Sequence, residues 1–284
     1  MRAKRFVMNS LAHIFLSVLS VIWVSPLVIV ILTAFRGERG TFTSYIIPRT
    51  FTLSNFTNLF AVQSAGLNFP RWVMNTLVIA ICACILATFF NLSTAYVMSR
   101  IRFRMRKKLI QIALVLGMFP GVMSMIAIYY ILKGLGFLET GTLSQIALIM
   151  VYSGGAGLGF FVTKGFFDTI PLTIDEAAYI DGATKWEVFW KITVPLSKPV
   201  IVTTILGAFM GPWIDFIFAR VILGQQVPYF TVAIGLFTML QREFVQQYFT
   251  QFFAACVLIS IPISILFLII QRFYVEGVSG AVKG

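Results

Sequence analysis

Residues 175–199 read DEAAYIDGATKWEVFWKITVPLSKP, a charged island in an apolar chain. Seven of these 25 residues carry charge, against 11% of the 284 residues as a whole. The block has local helical logic. Asp175 and Glu176 stand where a short helix starts, and negative charge there complements the helix dipole. Asp181-Gly182 ends that helix, Gly being suited to the left-handed position after a C-cap. Thr184 and Glu187 then form Thr-x-x-Glu, the signature of a capping box that opens a second helix. Trp186, Phe189, Trp190 and Thr193 recur at i, i+3, i+4 and i+7, one mostly apolar face, and Pro195 ends the helix. The predicted unit is helix, glycine turn, helix. Its aromatic face needs a cover: either another protein, or this chain's own helix ends and the lipid interface, where Trp is common.

What surrounds the block is lipid-soluble. The chain is 59% hydrophobic with a mean hydropathy of +0.92, and runs of about 20 apolar residues read as bilayer-crossing helices. Six are predicted, roughly 11–35, 73–98, 109–132, 142–163, 199–223 and 251–274. The first is too long for a cleaved leader and is read as a retained span, kinked near Pro26. An even number of spans puts both termini on one side. That side holds 15 of the 22 basic residues, so the positive-inside rule makes it the cytoplasm, together with the block at 175–199. The net charge of +12 is read as topogenic, with RIRFRMRKK (Arg100–Lys108) as a short cytoplasmic loop that touches anionic lipid, not nucleic acid. One His and three Cys, the latter (Cys82, Cys84, Cys256) all within apolar runs, leave few side chains for metal or redox chemistry. No metal site or catalytic constellation is predicted.

Asp215 is the one acidic residue well inside a predicted span. Insertion costs on the order of 2.5–3.5 kcal/mol for Asp at a helix centre, so it is expected to face the bundle interior or a wet cavity. The stretch Gly211-Pro212-Trp213-Ile214-Asp215-Phe216 combines a helix breaker, an aromatic ring and a carboxylate. Trp213 and Asp215 are therefore candidate lining of a solute path; the alternative is a hydrogen bond from Asp215 to Asn75, Asn91 or a partner subunit. Gly207 and Gly211, and the run GGAGLG (Gly154–Gly159), are read as helix-packing glycines. Pro120-Gly121 is expected to kink the third span.

The spacing in the opening block carries a resemblance. Glu176-Ala177-Ala178, three residues, Gly182, nine residues, then Ile192-Thr193-Val194-Pro195 is similar to the E-A-A, x3, G, x9, I-x-L-P loop of permease subunits of ABC importers, with Val194 in place of Leu. MFPGVMSMIAIYY (Met118–Tyr130), TKGFFDTI (Thr163–Ile170) and the ending GAVKG resemble the smaller maltose/maltodextrin permease subunit. The resemblance implies an all-α membrane protein with the six-helix type I importer permease fold. Its implied domains are a tail, first helix and outer loop (1–70), a transmembrane domain (71–272) with the loop at 175–199, and a cytoplasmic tail (273–284). It implies a sugar permease in a prokaryotic plasma membrane, paired with a homologous second permease, two ATPase subunits and an extracytoplasmic sugar-binding protein. ATP and Mg would sit on the ATPase, with no cofactor on this chain. Glu176, Ala177, Ala178, Asp181, Gly182, Trp186 and Phe189 would form the coupling contact, and Lys283 a tail contact with the ATPase. The family often has W-N-x-F where this chain has Trp213-Ile214-Asp215-Phe216. The competing expectation is an ion-gradient-driven secondary transporter, which requires coupling-ion ligands near the bilayer midplane.

Overall fold

The computed structural model describes residues 2–38, 40, 41, 45–61, 67–155 and 159–281, with side chains from 8 to 271. Lys283 and the central residues of GGAGLG lie outside the described residues. Among the described residues the chain is helical, relieved by one isolated antiparallel bridge between Arg36 and Phe51. That is the expected outcome for an apolar chain, because a helix satisfies its own backbone polar groups without water. The helices are α1 (Arg2–Ala34), α2 (Ser54–Ala61), α3 (Phe69–Arg100), α4 (Arg106–Gly117), α5 (Gly121–Gly134), α6 (Gly141–Gly155), α7 (Phe161–Thr169) and α8 (Leu172–Ile180). They continue with α9 (Lys185–Leu196), α10 (Lys198–Ile214), α11 (Ile217–Leu223), α12 (Val232–Met239) and α13 (Val245–Ala281).

Three helical stretches are long and apolar enough to cross a bilayer unaided: Met8–Ala34, Phe69–Arg100 and Val245–Gln271. The first runs unbroken through Pro26. The other three expected spans are interrupted. α4 and α5 meet at 100°, because the Phe119-Pro120-Gly121 junction leaves Pro120 extended, with ψ at 128°; the expected kink is a full corner. In the fourth run α6 covers Gly141–Gly155, and Gly159 and Phe160 form a turn ahead of α7. The fifth breaks at Asp215 and Phe216, between α10 and α11.

The helix-packing reading of the glycines is also corrected. A Cβ built on Gly154, Gly155, Gly207 or Gly211 would meet nothing within 4 Å, so none of them lets another helix of this chain approach closely. Close approach occurs instead at Gly141, which lies against the Tyr229 ring, and at Gly235, which lies against Trp72.

The chain divides into two compact units, one made of residues 1–69 and 236–262, the other of 70–235 and 263–284. In the first, Asn55 on α2 ties the end of α1 by donating to the carbonyls of Ala34 (2.9 Å) and Arg36 (2.8 Å), and it accepts from Thr250 on α13 at 3.0 Å. The second unit has a core of Leu92, Tyr96, Phe160, Phe167, Phe189 and Val200 with smaller neighbours. This core joins α3, α7, α9 and α10, and it is the base on which the charged block stands.

Candidate functional site

The block folds as expected at its turn. α8 closes in a Schellman motif: the Gly182 N–H bonds the Tyr179 carbonyl (3.1 Å) and the Ala183 N–H bonds the Ala178 carbonyl (2.9 Å). Gly182 carries φ of +84°, a conformation that costs an L-residue about 1–2 kcal/mol. A Cβ there would meet nothing within 4 Å. The Thr184–Glu187 capping box is complete. Glu187 also accepts from Lys191 at 2.8 Å; that bond, with those from Thr184, holds its carboxyl down at about 2.

α8 begins earlier than expected, at Leu172 after Pro171, and this changes Asp175. It lies on the inner face, 4% exposed, with its Oδ2 3.3 Å from Arg100 Nε. Arg100, the last residue of α3, also donates to the carbonyls of Phe167 and Ile170, both at 2.9 Å. Beside it Ser99 donates to Asp168 (2.6 Å), which also accepts from Lys164 (2.5 Å). Burial pushes the Asp175 carboxyl up, Arg100 opposes this, and Glu176 adds to it. Arg100 is thus a buried structural cation and not a free topogenic charge. Sequence reading missed this clamp.

α9 is not a regular helix. Residues Val188–Thr193 form a π-turn, in which the Val194 N–H reaches back five residues to the Phe189 carbonyl. Pro195 explains it: the proline lacks the N–H for the Lys191 carbonyl and would collide with it in an α-helix. The widened turn carries the helix past Pro195 to Leu196, and the chain then bends 85° into α10. It also splits the expected aromatic face. Phe189 is 4% exposed and packs on Tyr96, ring centroids 4.8 Å apart. Thr193 and Val188 are fully buried. Trp186 is 63% exposed. Phe189 therefore belongs to the chain's own core and is removed from the docking face. Tyr96 donates to the Lys185 carbonyl at 3.1 Å, so α3 grips both loop helices. Glu176, Ala177, Asp181, Gly182 and Trp186 stay on the outer surface, next to Ile180 and Trp190, while Ala178 is buried.

At the α10–α11 break, Pro212 removes one backbone donor and Asp215 turns extended, with ψ at 110°. Its Oδ1 accepts from the Phe218 N–H at 3.1 Å, starting α11, and its Oδ2 accepts from the Tyr152 hydroxyl at 2.7 Å. The partner is thus neither Asn75, which bonds the carbonyls of Pro228 and Phe230, nor Asn91. Asp215 and Tyr152 line a cavity of about 510 Å³ together with Ser124, Met125 and Ile128 from α5. Trp213 is not part of that lining. It is 5% exposed, beside Phe209.

Residues 91–280 match the family described as binding-protein-dependent transport system inner membrane component. The chain belongs to this family. The match spans the clamp, the loop and the α10–α11 break. The chain is 32% identical to the galactooligosaccharides transport system permease protein of Bacillus subtilis (strain 168), over 100% of this chain and 99% of the relative. It is 33% identical to the maltodextrin transport system permease protein of Streptococcus pneumoniae (strain ATCC BAA-255 / R6), over 100% and 98%. Its fold matches a crystal structure of a bacterial ABC transporter involved in the import of the acidic polysaccharide alginate, with a TM-score of 0.80 at 19% identity, covering 96% of this chain and 98% of that one. The fold is that of a type I ABC importer permease, and the chain is a transport subunit of the membrane, not an enzyme.

Proposed function

We propose that this chain forms half of the translocation path of an ATP-driven carbohydrate importer, with a maltodextrin-type oligosaccharide as substrate. The observation that carries the mechanism is the loop. An exposed Glu176-Ala177 and Gly182 edge, with Trp186 and Trp190 beside it, stands on a base locked to α3 through Asp175–Arg100 and Tyr96–Lys185. A force applied to that edge reaches a membrane-crossing helix through a buried ion pair and packed rings, without a flexible joint between. The edge is a docking surface for a separate ATPase, which holds ATP and Mg. Two such ATPases serve this chain and a homologous second permease, and an extracytoplasmic binding protein delivers the sugar.

In this reading the chain crosses a prokaryotic plasma membrane six times with both termini in the cytoplasm. α4–α5 and α10–α11 act as broken spans, and irregular backbone at membrane depth is tolerated where it lines a cavity. The cavity at Asp215 is the sugar path, since a carboxylate and a tyrosine hydroxyl offer hydrogen bonds to sugar hydroxyls. The relatives that transport galactooligosaccharides and maltodextrin support an oligosaccharide over an ion as the solute. Reconstituted transporter supplied with ATP should take up maltotriose at an unchanged rate after a protonophore is added. Collapse of uptake under that treatment would mean the driving force is a gradient.

A further inference from the structure

The first compact unit contains a cavity of about 370 Å³ that the coupling account does not use. It lies between α2 and the first turns of α13, and is lined by Asn55, Asn58, Gln247, Tyr248, Thr250 and Gln251 among others, with no charged side chain among the described residues. Its volume falls within the roughly 300–1,000 Å³ of small-molecule sites. Asn55 and Thr250 are spent on each other and on the α1 carbonyls, so they form a fixed wall. Gln251 is different. It is 8% exposed, and its Oε1 is buried without a hydrogen-bond partner among the described residues. A buried polar atom left in this state calls for an explanation. Above it, Asn58 and Gln247 are exposed at the rim, and Tyr248 offers an aromatic ring.

We propose that this cavity is a second carbohydrate site, which holds the end of a neutral oligosaccharide. The chemistry selects the ligand class. Among the described residues a charged solute finds no counter-charge in the lining, and an apolar one would leave the amides without partners. A polyhydroxylated ring exchanges hydrogen bonds with the Asn58 and Gln247 amides and lays its C–H face on Tyr248, and a rotation of the Gln251 side chain brings its unpartnered oxygen within reach of a sugar hydroxyl. The assignment to sugar rests on the carbohydrate reading above.

The test is titration of maltotriose onto the full chain in lipid nanodiscs, read by saturation-transfer NMR. Saturable binding is expected, weakened about tenfold by Gln251→Leu, which deletes a buried hydrogen-bonding group. Asn58→Ala, on the exposed rim where folding is not at stake, is expected to weaken it several-fold. Binding that is lost in Asp215→Asn but untouched by Gln251→Leu and Asn58→Ala overturns the second site and leaves the importer reading standing. Absence of saturable binding to the wild-type chain also overturns the second site, while maltotriose uptake by the assembled transporter reports separately on the importer reading. If Asn58→Ala instead loosens the extracytoplasmic binding protein from the assembled transporter and leaves sugar binding intact, the cavity is a protein dock and the proposal fails.

Discussion

Asp175 and Asp215 are both interior aspartates near a helix end, and they are held in opposite ways. Asp175 is buried at the base of the loop against a fixed cation, Arg100, which is itself tied to two carbonyls. Asp215 is half-buried at a helix break, and its partners are neutral: a tyrosine hydroxyl and a backbone N–H. The first arrangement suits a mechanical joint, since a buried ion pair whose cation is also tied to two carbonyls has one geometry. The second suits a path, because a neutral hydroxyl can be exchanged for a solute hydroxyl at little electrostatic cost.

Four substitutions or conditions press on this contrast. The largest effect is expected from Arg100→Met. Removing one partner of a buried pair costs about 3–5 kcal/mol, and here two carbonyls lose their donor as well. Asp175→Asn should cost less, because the side-chain amide oxygen can still accept from Arg100 and Arg100 keeps its two carbonyls. Thermal unfolding in nanodiscs measures both, and an equal loss for the two variants would mean that Arg100 is not the anchor. Next comes Asp215→Leu, which removes the α11 cap and orphans the Tyr152 hydroxyl, for about 2 kcal/mol together. Asp215→Asn keeps the cap, since Asn caps as well as Asp, so its stability should stay near wild type while maltotriose uptake falls several-fold. Wild-type uptake by Asp215→Asn would remove that carboxylate from the path.

Thr184→Ala is expected to cost about 1 kcal/mol by deleting the cap of α9, again read by thermal unfolding. The smallest effect is a pH dependence at Glu187. Its folded pKa of about 2 lies below the ordinary 4.5, so its contribution is complete above 4.5 and is lost as pH falls toward 2. The stability difference between wild type and Lys191→Met should therefore shrink over that window. A difference that is constant from pH 6 to pH 2 would show that Lys191 is not what holds the carboxyl down.

The sequence was most legible where structure is local. The Gly182 turn and the Thr184–Glu187 box involve residues at most five apart, and both stand as expected. Arg100 was counted with the topogenic charges because its partner, Asp175, is 75 positions away and nothing in a linear pattern joins them. Tyr152 was overlooked for the same reason, although a tyrosine in an apolar run signals that its hydroxyl has a partner. The π-turn is intermediate. Pro195 marked a disturbance, yet a sequence period of 3.6 cannot show that the helix widens and continues, so Phe189 was grouped with Trp186 in the coupling contact although it fills the core. Trp213 and Asp215 were paired because they are close in sequence, yet two helical residues turn by about 200° and so face different sides.

The central claim is that the Gly182 edge transmits ATPase closure to the membrane helices. Gly182→Trp tests it most directly. The position has open space around it in this chain, so the variant should insert and remain in the membrane at wild-type levels with only the strain of a positive φ, about 1–2 kcal/mol. In proteoliposomes with the partner subunits and binding protein, maltotriose uptake should fall at least tenfold while the amount of this chain in the bilayer is unchanged. Uptake at the wild-type rate by a Gly182→Trp transporter would contradict the account.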